Sequence, residues 1–100
     1  MAKVLLNLVV KPAMEAALVE WLLEQESIKG FSSYPVRGHG SSPASLSLAE
    51  QVAGTRSQYL YQIVLEQGQS QRLLELLREQ FGGSGMHYWV NPVLQEGHLD

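Results

Sequence analysis

Lys3-Val4-Leu5-Leu6-Asn7-Leu8-Val9-Val10 places Val4, Leu6, Leu8 and Val10 on one side of an extended chain and Leu5, Asn7 and Val9 on the other. Side chains alternate between faces along a strand, so this segment reads as a strand apolar on both sides. Such a strand belongs in the middle of a sheet. The next segment changes period. Pro12 suits a first helical turn, and Met14, Ala17, Leu18, Trp21 and Leu22 follow at the spacing of one helix face, with Gly30 as the expected stop.

Further along, Phe31 to Arg37 is aromatic and β-branched but contains Pro35. Proline has no N–H for a ladder bond, which fits an edge strand. Ser57 to Glu66 alternates Tyr59, Tyr61, Ile63 and Leu65 with Gln58, Leu60, Gln62 and Val64, a third strand. A second helix is expected with Ser70 as its cap, Leu73, Leu74, Leu76, Leu77 and Phe81 as its apolar set, and Gly82-Gly83 as its end. Met86 to Leu94 is the fourth strand, with Pro92 at an edge or bulge.

The order βαββαβ, joined by right-handed crossovers, predicts an α+β, ferredoxin-like domain spanning residues 1–100: a four-stranded antiparallel sheet with both helices on one face. The other face then has no helix to cover it. Apolar residues on both sides of the first strand, with Tyr88 and Trp89 in the last, would leave a large exposed apolar patch. Self-association with closed symmetry is the simplest cover.

Composition narrows the function. A chain of 100 residues with 45% apolar and 17% charged residues folds as one domain with a modest core. A formal charge of −3 argues against binding phosphate backbones, so nucleic acid is not an expected partner. Apolar runs are too short for a membrane span or a signal peptide, and a cytoplasmic location is expected. The chain has no cysteine and therefore no disulfide or thiolate metal site. No nucleophile elbow of the G-x-S-x-G type is present, and an enzyme is not expected.

Candidate chemistry gathers at two places. Val36-Arg37-Gly38-His39-Gly40 opens a Ser- and Pro-rich connection that runs to Arg56, roughly twenty residues where unstructured connections seldom exceed about 15. Glycines on both sides of His39 favour unusual backbone dihedrals and close approach to a ligand. Ser47-Leu48-Ala49-Glu50 has capping-box spacing and predicts a short helix ended by Gly54, in which Glu50 is a capping partner as readily as a ligand. The second place is Gly82-Gly83-Ser84-Gly85, whose N–H groups would form an anion-binding nest, although glycine-rich helix exits are commonly plain caps. The candidate ligand-binding residues are Arg37, Gly38, His39, Gly40, Arg56, Gly83 and Gly85. A divalent metal would draw on His39, His87 and Glu50, which form no compact ligand spacing in sequence. Tyr59 and Tyr61 would be the stacking residues of an RNA-binding sheet, but the basic, Gly-rich signature of that class is missing.

These stretches resemble the PII-like signalling superfamily. The likeness lies in Val36-Arg37-Gly38-His39-Gly40 before a long loop between strands two and three, and in Tyr88-Trp89-Val90-Asn91-Pro92-Val93 after a Gly-rich turn. Within the superfamily the chain is most similar to a small bacterial family often encoded beside heavy-metal efflux systems. That similarity is carried by Ala17-Leu18-Val19-Glu20-Trp21-Leu22-Leu23, Gly38-His39-Gly40, the stretch from Leu46 to Gly54, and His87-Tyr88-Trp89-Val90. The resemblance implies a homotrimer that senses a small ligand or metal at clefts between subunits and signals through the long loop to a membrane efflux transporter or another regulatory partner. A divalent-metal-binding protein of the cation-tolerance type is the alternative it leaves open. Where PII proteins follow the glycines with a lysine, this chain has Met86-His87, which argues against ATP binding of the usual PII kind.

Overall fold

The computed structural model describes residues 2–40 and 55–100. Its elements are β1 (Lys3–Val10), a single 3-10 turn (Pro12–Met14), α1 (Glu15–Leu23), β2 (Ser32–Gly38), β3 (Arg56–Glu66), α2 (Gln67–Phe81) and β4 (His87–Val93). The four strands form one antiparallel sheet in the order β2-β3-β1-β4. This is the expected ferredoxin-like arrangement, with β1 in the interior of the sheet and the Pro35-containing β2 at an edge. The expected short helix after Ser47 lies outside the described residues.

Register explains the core. Val4, Leu6, Leu8 and Val10 stand opposite Leu65, Ile63, Tyr61 and Tyr59, and opposed residues share a face. Leu18 and Leu22 of α1 and Leu73 and Leu77 of α2 close over this face and form one buried cluster with it. Trp21 meets Phe81 edge to face at 5.8 Å, joining the two helices, and Phe31 covers Tyr61 at 6.1 Å.

Both helix boundaries depart from the sequence expectation. Helix α1 ends at Leu23 rather than at Gly30. The N–H of Glu24 donates to Trp21 O and that of Gln25 to Leu22 O, while Gln25 Nε2 also donates to Trp21 O at 3.0 Å. These bonds satisfy the last carbonyls early and let the chain turn so that Ile28 and Phe31 pack on the core. Helix α2 begins at Gln67 with Glu66 as its cap, so Ser70 lies inside it and is buried. Glu66 accepts from the Gln69 backbone, and Gln69 Oε1 accepts the Glu66 N–H at 3.1 Å. This reciprocal pair does with a glutamate what a serine cap usually does.

Tyr61 is fully buried, and its hydroxyl has no hydrogen-bond partner among the described residues. Burial first, and then the charge of Glu15, push its pKa up to about 12. A buried hydroxyl without a partner costs on the order of 1–3 kcal/mol. Tyr61→Phe is therefore expected to raise the urea midpoint of unfolding at neutral pH. The phenol is neutral in both states below pH 10, whereas above it the unfolded chain loses the proton and the folded one keeps it. Stability in the parent protein should therefore fall between about pH 10 and 12, and Tyr61→Phe should flatten that fall.

Candidate functional site

The turn after α2 is built from its own hydrogen bonds. The N–H of Ser84 donates to Phe81 O at 3.1 Å, and the N–H of Met86 donates to Ser84 Oγ at 3.3 Å. Gly83 and Gly85 have φ of 86° and 79°, a backbone region that residues with a Cβ rarely adopt. Between this turn, the last turns of α2 and the start of β4 lies a cleft of about 240 Å³, floored by Leu8, Leu77 and Met86.

Arg78 borders the same cleft. Its guanidinium lies over the Tyr88 ring, 5.9 Å from the centroid, and Nη2 donates to Tyr88 Oη at 3.2 Å. The fork has five N–H donors and this bond uses one of them. The cleft thus combines an apolar floor, a glycine turn and an oriented cation, a set suited to a small anion carrying an apolar or aromatic part. Arg78 was not among the sequence candidates. Its signal was the helical spacing that puts Leu74, Arg78 and Phe81 on one side of α2, all three at the cleft.

The other candidates sit elsewhere. Gly38 pairs with Arg56, and Arg37 with Ser57, so Arg37, Gly38, His39, Gly40 and Arg56 gather where β2 and β3 enter the long connection. A Cβ at Gly38 would collide with the Gln58 side chain, and one at Gly40 with the Arg56 guanidinium. Neither glycine has a positive φ. The expectation of unusual dihedrals beside His39 is therefore corrected: these glycines make room for β3 side chains. His39 is exposed, and Arg56 Nε is buried without a partner among the described residues.

Strand directions place this group and the Gly83–Gly85 turn at the same end of the sheet but at opposite edges. His39 follows β2 while His87 opens β4, three strand spacings away and about five residues along. At about 4.8 Å per strand and 3.4 Å per residue, their backbones lie on the order of 20 Å apart. One metal ion cannot take both from the same protomer. His87 instead leans on Trp89, with ring centroids 5.6 Å apart. No cluster of three metal-ligating side chains occurs among the described residues, and Glu50 lies outside them. The RNA reading also loses its premise, because Tyr59 and Tyr61 face the helices. No helix among the described residues is long and apolar enough to cross a membrane.

A family model described as "Protein of unknown function (DUF3240)" matches residues 1–100. The chain belongs to the DUF3240 family. Among solved structures, a DUF3240 protein from Shewanella baltica is similar at 24% identity, with a TM-score of 0.81 over 100% of this chain and 99% of that one. A putative PII-like signalling protein from Thermus thermophilus aligns at 22% identity and a TM-score of 0.65, covering 93% and 87%. CPII, a nitrogen regulatory PII-like protein from Thiomonas intermedia whose structure holds ADP, AMP and bicarbonate, aligns at 17% identity and a TM-score of 0.70, covering 98% and 96%. The fold of this DUF3240 chain is thus PII-like. No curated protein matches it.

The glycine turn gives a direct test of its geometry. Gly83→Ala places its Cβ in open space, so its whole cost is the dihedral, about 1–2 kcal/mol. Gly30→Ala also meets nothing and has no positive φ, and it should change stability by less than about 0.5 kcal/mol. Urea midpoints of the two variants would separate these outcomes.

Proposed function

We propose that this chain is a non-enzymatic regulatory protein of the PII-like type, acting as a closed homotrimer that binds a small anionic ligand between subunits. The observation that carries this reading is the division of the binding groups. The glycine turn with Arg78 stands at the β4 edge, and the Arg37–Gly40 and Arg56 group stands at the β2–β3 edge of the same end. A cleft of about 240 Å³ is smaller than the roughly 300–1,000 Å³ of sites that enclose a drug-sized ligand. A neighbouring protomer that brings its own loop base beside this turn would complete it, and the segment after Gly40 would then report occupancy to a partner.

The ligand class follows from the cleft. No lysine follows Gly85, but Arg78 supplies a cation at that turn from the helix side. ADP and AMP are therefore the first compounds to test, with bicarbonate, since a protein of the same fold holds all three. A connection to heavy-metal homeostasis, and an efflux transporter as partner, is supported by the sequence resemblance alone.

Light scattering at micromolar concentration should give three times the chain mass. Calorimetry should detect ADP or AMP, and Arg78→Ala should weaken that binding tenfold or more, the loss expected when a charge-assisted bond of about 1.5–3 kcal/mol is removed. A monomeric mass, or nucleotide binding indifferent to Arg78, would overturn the reading.

A further inference from the structure

The sheet face that no described element covers carries a line of three amides. Asn7, 1% exposed, donates from Nδ2 to Asn91 Oδ1 at 2.9 Å, to Leu5 O at 3.1 Å and to Trp89 O at 3.4 Å. Its Oδ1 accepts from Gln62 Nε2 at 3.1 Å. The two backbone carbonyls decide the orientation, because a carbonyl can only accept and so must face the NH₂ end of Asn7. That choice propagates. Asn91 must turn its oxygen inward and Gln62 its nitrogen inward, which leaves Asn91 Nδ2, a donor, at the β4 side and Gln62 Oε1, an acceptor, at the β3 side.

We infer that this ladder is a polarised interface element whose occupant is a second copy of this chain, with the outward Asn91 Nδ2 of one protomer donating to the outward Gln62 Oε1 of the next. Neither end has a partner among the described residues, and the two are complementary to each other while neither is complementary to itself. Around them the face is apolar: Tyr34, Val64 and Trp89 are exposed to 42%, 42% and 38%, with Leu5 and Val9 half-buried. Covering that surface removes the ladder ends from water, and a buried amide group left unpaired is costly. The inference rests on the proposed ring and adds what sets its register: apolar contact alone is non-directional, whereas a ladder with a donor end and an acceptor end pairs Asn91 of one copy only with Gln62 of the next.

Asn91→Asp isolates the outward group. A carboxylate keeps an oxygen for Asn7 Nδ2 and replaces the outward donor with an acceptor that faces the neighbour's Gln62 Oε1. The variant should fold, by circular dichroism, and its assembly midpoint on dilution should rise at least tenfold relative to the parent. Combining Asn91→Asp with Gln62→Arg reverses both free ends while keeping donation to Asn7, and it should recover assembly. In the parent protein, the Asn91 side-chain amide should exchange with solvent at least tenfold more slowly than that of exposed Gln71, a readout that needs no variant. A trimeric parent whose assembly is unmoved by Asn91→Asp, or whose Asn91 amide exchanges freely, overturns the ladder and leaves the ring standing. A monomeric parent overturns both.

Discussion

Two helices can cover one side of a four-stranded sheet, and β1 is apolar on two. Most of the molecule follows from that mismatch. The even-numbered residues of β1 are sealed by α1 and α2, which fixes the register of β3 and the positions of Leu18, Leu22, Leu73 and Leu77. The odd-numbered residues face outward beside Leu60, Val64 and Trp89. A single amide, Asn7, interrupts that outward row, and it is tied by side-chain bonds to both neighbouring strands. Side chains on this face thus hold β4, β1 and β3 together in addition to the backbone ladder.

The site has a different logic from the core. Its parts are a turn that only glycine adopts comfortably, an arginine oriented by an aromatic ring, and a cluster at the far edge where side chains from β3 lie over glycines of β2 and its exit. None of these is deeply buried, and each is assembled by a neighbouring rigid element. Positioning of this kind is what a loop-based site requires, because the ligand-facing groups are mobile unless something beside them is not.

The strands were legible because β1 and β3 carry apolar, β-branched and aromatic residues on both faces, a pattern that suits interior strands of a sheet. Pro35 correctly marked an edge. The helix ends were less legible: Glu66 is an unusual cap, readable only with Gln69 three residues on, and α1 closes through the Gln25 side chain, with no glycine at that point. For the site, sequence reading found the glycine turn but not Arg78, since an arginine beside Leu77 reads as a solvated helix charge until β4 puts Tyr88 under it. His39 and His87 were grouped by residue type, since imidazole is the commonest neutral metal ligand. The strand order separates them, and no local pattern encodes strand order.

Glu66 is both the last residue of β3 and the cap of α2, and Gln67 N–H is tied to Ala2 O. The chain from Arg56 to Phe81 therefore runs from the base of the long connection to the glycine turn without a loop between strand and helix. It is a bracket with a fixed corner. A displacement imposed at either tip meets no slack along that path, and the first joint able to absorb it is the turn at Gly83 and Gly85 itself.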